Sequence, residues 1–330
     1  MNLEKETVPT RRAFSERMVE YGKIDREFAV FEADIGHSTW SVLFGRTYPD
    51  RYFNVGIAEQ NMVASAAGMA AGGRTVFACS YGVFLTMRAL ETVRSFICYP
   101  NLNVKFLGSH GGITAAVDGV THQATEDIGI LTTLPNMQVL CPADSVSARA
   151  AFDLAVKTPG PVYVRLMRDP LYRLYDAGAR FRIGGSARLR EGSDVTIVSY
   201  GDIVFQALEA AGQLAGAGVS AEVLDLYSLK PVDYAAVMAS VTKTGALVVA
   251  ENHQKRNGLG YELASLLLRS RPVPFDSLGL CDTFAESGQY QLLLGKYGLS
   301  AEHIFRSAIE AVRKKNGGME TVHILRGAAA

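Results

Sequence analysis

The chain is predicted to fold as two α/β domains with mostly parallel sheets, and three observations predict it. In the first half, short β-like runs alternate with helix-length segments, the pattern of a parallel sheet covered on both faces. Between about Pro170 and Ser193 that periodicity fades into mixed charged and glycine-containing sequence, which reads as a connection. Beyond it the alternation resumes. With 330 residues, two domains are expected, spanning 1–185 and 186–330.

In chain order, the strands expected in the first domain are 29–33, 51–55, 74–77, 104–107, 137–140 and 162–166. Helices are expected over 11–21, 58–71, 85–98, 124–133 and 145–157. The segment Ala58–Ala71 is rich in Ala, Gly and Ser, which permits close backbone approach, and Gly72-Gly73 supplies a C-terminal stop. In the second domain, strands at 195–200, 221–226 and 245–250 alternate with helices at 203–217, 233–241 and 258–268.

Composition excludes several classes. Thirty-three basic and thirty-three acidic residues give zero formal charge with no long block of either sign, so neither nucleic acid nor a membrane surface is an expected partner. No apolar run approaches the ~18 residues of a membrane span, and the charged start Met1-Asn2-Leu3-Glu4-Lys5-Glu6 does not read as a secretory signal. Cys79, Cys98, Cys141 and Cys281 are scattered in apolar contexts without metal-ligand spacing, as expected of reduced, buried thiols in a cytoplasmic protein.

Chemistry concentrates in two motifs. Val55-Gly56-Ile57-Ala58-Glu59-Gln60-Asn61-Met62 sets a carboxylate among apolar and small neighbours where a strand gives way to a helix. Burying it is costly unless it has a partner or a task. By itself, a Glu at a helix start is ordinarily a favourable first-turn charge. The second motif is a glycine-rich loop from Ser109 to Gln123 that follows a strand, where ligands bind in open parallel sheets. His110 and His122 bracket it, and Asp118-Gly119-Val120-Thr121-His122-Gln123 closes it. Together these motifs resemble the pyrimidine-binding domain of transketolase-like, thiamine diphosphate-dependent enzymes.

The resemblance implies a role for each matching residue. Glu59 would bond the cofactor's aminopyrimidine, so that the exocyclic amine becomes a base for the thiazolium C2 proton. Tyr81 and Phe84 would lie against the pyrimidine, Tyr81 standing where a phenylalanine is usual. Read by pattern alone, aromatics at that spacing are more often core. His110, Asp118 and His122 would bind ketose hydroxyls, and the histidines would assist proton transfer. Arg168 and Ser38 would grip the sugar's anionic end, a task that suits the planar guanidinium fork. Arg165, on the same run, is expected to make a surface salt bridge, and His253 to be structural. Two departures stand out: Val117 replaces an acidic residue common before the Asp-Gly, and His37 precedes Ser38.

The second half resembles the family's C-terminal domain through Glu251-Asn252-His253, Gly258-Leu259-Gly260-Tyr261-Glu262 and Asp282-Thr283-Phe284-Ala285-Glu286-Ser287-Gly288. In relatives that domain braces a dimer, with little or no contact with the thiazolium chemistry. The Gly-Asp-Gly motif that holds Mg²⁺ and the diphosphate is missing; Gly201-Asp202 runs on into Ile203. The resemblance therefore implies the small subunit of a split transketolase, whose separate partner carries Gly-Asp-Gly and Mg²⁺ in an α2β2 assembly acting on sugar phosphates or related anions. The β subunit of a 2-oxoacid dehydrogenase E1 and a deoxyxylulose phosphate synthase-like enzyme are the alternatives. The Asp118–Gln123 motif speaks against the first. The second normally keeps all three domains in one chain.

Overall fold

The computed structural model describes residues 4–317 and contains two sheets. Twelve strands occur in the order β1 Ala29–Glu32, β2 Tyr52–Asn54, β3 Val76–Tyr81, β4 Val104–Ser109, β5 Gln138–Leu140, β6 Val162–Arg165, β7 Ala187–Arg190, β8 Val195–Ser199, β9 Ala221–Asp225, β10 Ser228–Lys230, β11 Leu247–Gln254 and β12 Phe275–Leu280. The first sheet runs β10-β5-β6-β4-β3-β1-β2 and the second β12-β11-β8-β9-β7. All pairings are parallel except β10 with β5 and β7 with β9.

The central strands β1, β3, β4 and β6 are buried at every residue, as covering helices on both faces require. One face packs on a cluster in which Phe14, Phe28, Phe77 and Phe152 meet at centroid distances of 5.2–6.3 Å. The opposite face belongs to a cluster that continues through Val198, Leu224 and Val249 into the second sheet. Edge strand β10 follows β9 in the chain yet pairs with β5, so the two halves also share backbone hydrogen bonds.

Several expected elements differ in extent. The segment expected as one helix over 85–98 contains π-type turns at Phe84–Arg88 and Val93–Cys98 around a short α turn. The helix expected from Ala124 begins at Asp127, because Ala124 exchanges backbone hydrogen bonds with Gly112. Short helices at Gly36–Thr39 and Val42–Thr47 lie between β1 and β2. Cys79, Cys98 and Cys141 are buried as expected; Cys281 is exposed, just beyond the end of β12.

Register brings the functional loops to one edge. Glu32 pairs with Cys79, Tyr81 with Ser109, and Gly108 with Arg165. The carboxyl ends of β1, β3, β4 and β6 therefore fall side by side, with Ser38, Tyr81, His110 and Arg168 in or just after them.

Candidate active site

Glu59 is the first residue of the helix Glu59–Ala71, after Gly56 turns the chain at φ +74°. The carboxylate is buried at 2% exposure, and its Oε2 has no hydrogen-bond partner. The helix start favours its charge, but a buried oxygen without a donor is unusual and costly. The nearest cation is the exposed Arg88, whose Nη1 stands 3.8 Å from Oε2, beyond hydrogen-bond range. The same guanidinium lies over the Phe84 ring at 5.6 Å, so Arg88 links the carboxylate to the aromatic wall.

That wall is a set of four rings. Tyr81 and Phe84 stack at 5.6 Å with planes 13° apart. His110 sits 4.0 Å from Tyr81, and His122 meets both aromatic rings edge-on at 5.5 Å. Tyr81 terminates β3, and Phe84, three residues on, opens the π-type turn Phe84–Arg88.

His110 is buried at 1% and adopts φ +62°. Its Nδ1 lies 2.7 Å from Ser109 Oγ, and its Nε2 lies 3.5 Å from Arg11 Nη1. A guanidinium offers only donors, so Nε2 is an acceptor and Nδ1 carries the proton, donating to the serine. Burial, with Arg11 and Arg168 adding repulsion, pushes the imidazole pKa down to about 2. His110 is therefore neutral throughout the physiological range. His122 is half-buried, with its Nδ1 2.9 Å from Thr121 Oγ1.

Two arginines lie near His110. Arg168 lies three residues beyond the end of β6; its Nη1 donates to the Ala115 carbonyl at 2.9 Å and its Nη2 is 3.9 Å from Asp118 Oδ1. Arg11, from the helix Thr10–Tyr21, donates through Nε to the Arg168 carbonyl at 2.9 Å and through Nη1 to the Ser38 carbonyl. Burial, with help from Arg168, lowers the Arg11 pKa. Sequence reasoning misses Arg11. The signal for it is faint: Arg12 has Glu16 four residues on and forms that pair at 2.8 Å, while Phe14 and Ser15 offer Arg11 no such partner.

Ser38 sits in the turn Gly36–Thr39, held by Glu32 Oε2, which accepts from the Ile35 amide at 2.8 Å. His37 on that turn is exposed, and so is Val117 on the loop. Glu59, Tyr81, Phe84, His110 and His122 thus gather on one side, with Arg11, Ser38, Asp118 and Arg168 beside His110.

Two other residues behave differently from a site. Arg165, expected at the surface, is fully buried: its Nε donates to Asp127 Oδ2 at 2.9 Å and its Nη2 to the carbonyls of Ala124 and Asn252. It sits at the end of a central strand, where both faces are covered, and Asp127 compensates its charge. His253 is buried and uses both ring nitrogens on backbone, Nε2 accepting from Gly129 and Nδ1 donating to the Gln254 carbonyl, which is the expected structural role. Among the described residues no group of three or more His, Cys, Asp and Glu is placed to hold a metal ion, and no helix is long and apolar enough to cross a membrane.

Comparison with known proteins places these features in context. The transketolase pyrimidine-binding domain matches residues 6–173 and the transketolase C-terminal domain residues 184–304. A protein of Clostridium sp. (strain MSTE9), the 6-deoxy-6-sulfo-D-fructose transketolase subunit SqwH, is 40% identical over 93% of this chain and 95% of its own. An apulose-4-phosphate transketolase subunit of Phocaeicola vulgatus is 33% identical over 93% of this chain and 98% of its own. A solved structure described as a split-gene transketolase in an inactive β4 tetramer superposes with a TM-score of 0.87 at 41% identity, covering 93% of this chain and 99% of that one.

Proposed function

The chain belongs to the transketolase family and is the counterpart of a split-transketolase β subunit; on that premise, we propose that it supplies the pyrimidine side of a two-chain, thiamine diphosphate-dependent active site. The enzyme would move a two-carbon ketol unit from an anionic ketose to an aldose, a transketolase-type transfer. The observation that carries this reading is the buried Glu59 Oε2 without a donor, tied through Arg88 to the Tyr81–Phe84 stack. A protonated aminopyrimidine would satisfy that oxygen, and the stacked rings suit its flat face.

When bound, thiamine diphosphate supplies the nucleophilic carbon that breaks and remakes the ketose carbon–carbon bond. Glu59 Oε2 would share a proton with a pyrimidine ring nitrogen, and Tyr81 and Phe84 would hold the ring in place. His110, kept neutral by burial, would exchange the long 3.5 Å contact of its Nε2 with Arg11 for a hydrogen bond from a ketose hydroxyl. His122 and Asp118 would orient the remaining hydroxyls. Arg168, Arg11 and the Ser38 turn would take the anionic end, where two guanidiniums converge. The sulfonated-sugar name of the Clostridium relative makes a sulfonate a donor to test beside a phosphate.

The diphosphate and Mg²⁺ would be held by a separate partner carrying Gly-Asp-Gly, in an α2β2 assembly in the cytoplasm. The chain would divide near 185/186 into a pyrimidine-binding and a C-terminal domain. Glu59→Gln in the assembled enzyme tests the reading. Deuterium exchange at cofactor C2 should collapse, and exchange as fast as wild type would remove Glu59 from its role.

A further inference from the structure

The C-terminal half reaches into the catalytic loop. Asn252, near the end of β11, is fully buried and accepts at Oδ1 from the Ile113 amide at 2.9 Å. Its Nδ2 donates to Asp202 Oδ2 at 2.7 Å, and Tyr290 donates its hydroxyl to that same oxygen. Its carbonyl takes Arg165 Nη2 at 2.8 Å. The fit leaves no slack: a Cβ at Gly112, whose φ is +60°, would stand 2.2 Å from Asn252 Oδ1.

Three further contacts fasten the same loop. The Gly288 amide donates to the Ala116 carbonyl at 3.3 Å, Gln123 Nε2 donates to the Glu286 carbonyl at 3.2 Å, and Gly119 packs against Ser287. Just before and within this anchored stretch the chain holds His110 at φ +62° and Ala116 at φ +54°, both uncommon for residues with a Cβ. Such conformations persist only where surroundings over-determine them. The loop they shape carries His110, Asp118 and His122, and its Ala115 carbonyl orients Arg168.

We propose that the Asn252–Asp202–Tyr290 chain is a positioning device that sets the catalytic loop for the anionic ketose, so that the C-terminal domain governs substrate affinity while leaving cofactor activation at Glu59 untouched. The inference rests on the functional reading above. Asn252 itself touches no substrate in this account; it acts through the Ile113 amide. Removing it would free the strained segment Ile113–Asp118 and let the Ala115 carbonyl that holds the Arg168 guanidinium drift.

The test uses the complex assembled with its diphosphate-binding partner, with 6-deoxy-6-sulfofructose and fructose 6-phosphate as donors. Asn252→Ala should raise KM for the donor that wild type turns over by roughly tenfold or more. The C2 exchange rate should stay within about twofold of wild type, and amide hydrogen exchange should rise locally over residues 112–119. Tyr290→Phe, which removes one hydroxyl and keeps the ring, should give the same split with a smaller KM change, and decides the matter if Asn252→Ala does not fold. Arg168→Ala is the control for the reading itself. If it raises KM while Asn252→Ala and Tyr290→Phe leave KM and loop exchange unchanged, the positioning role is overturned and the reading stands. If C2 exchange falls in step with kcat, the residues are merely structural and the inference fails. If wild type turns over neither donor, or Arg168→Ala shifts nothing, reading and inference fall together.

Discussion

The Arg11 guanidinium lies 3.5 Å from His110 Nε2, and a group that can only donate fixes which imidazole nitrogen holds the proton. Burial, with Arg11 and Arg168 adding repulsion, keeps His110 neutral in the folded chain down to a pKa of about 2, whereas the unfolded chain protonates it near 6.5. Below pH 6.5 the unfolded state binds more protons, so stability falls as pH drops. Replacing His110 by Gln removes that term. Between pH 7.5 and 5, wild type should lose up to about 2 kcal/mol more unfolding free energy than His110→Gln, at no more than ~1.4 kcal/mol per pH unit below 6.5. Urea denaturation at both pH values checks it; equal losses would show that His110 titrates normally when folded.

In the proposed site, anion recognition would be shared between two arginines that differ in anchoring. Arg168→Ala in the assembled enzyme should cost roughly 1.5–3 kcal/mol of apparent donor affinity, about tenfold to a hundredfold in KM. A truncated, uncharged donor should be little affected. Arg11→Ala should do more, because it also releases the carbonyls of Ser38 and Arg168. Steady-state kinetics with charged and uncharged donors decides, and equal effects on both would take the arginines out of the anion pocket.

The buried pair Arg165–Asp127 yields a stability prediction. Both side chains are fully buried at 2.9 Å, and Tyr163 donates to the same carboxylate oxygen at 2.8 Å. Arg165→Met leaves Asp127 without its cation and frees the carbonyls of Ala124 and Asn252. The expected cost is about 3–5 kcal/mol. Chemical denaturation measures it, and a loss below about 1 kcal/mol would mean that the pair contributes little.

Much of this fold was legible because parallel strands buried on both faces are apolar runs, and β1, β3, β4 and β6 lie close to where those runs predict them. The edge strand β10 was not legible, because three residues ending in Lys230 before Pro231 carry no period and their pairing with β5 is long-range. The turns at Phe84–Arg88 and Val93–Cys98 break the 3.6 spacing without any Gly or Pro to announce it. β12 and the helix Ala301–Lys315 lie beyond the last segment, 258–268, for which an element is expected. Glu59, His110 and His122 stand out in the sequence because they sit in contiguous motifs, and the fold gathers them around Tyr81 and Phe84. Arg11 and Asn252 act only through residues far away in sequence, Arg11 on Ser38 and Arg168 and Asn252 on Ile113. Arg165 was misread because nothing local in its strand reveals that Asp127 neutralises it.

The central claim is that this chain holds the pyrimidine side of the cofactor site and a partner holds the rest. Calorimetric titration of thiamine diphosphate with Mg²⁺ into the chain, alone and with a Gly-Asp-Gly-bearing partner, tests it most directly. Weak or undetectable binding by the chain alone, and tight, Mg²⁺-dependent binding once the partner is present, is the predicted result, since a ligand that bridges both chains also tightens their association. Tight, Mg²⁺-dependent binding by the isolated chain would contradict the account, because the metal and diphosphate site would then have to lie within it.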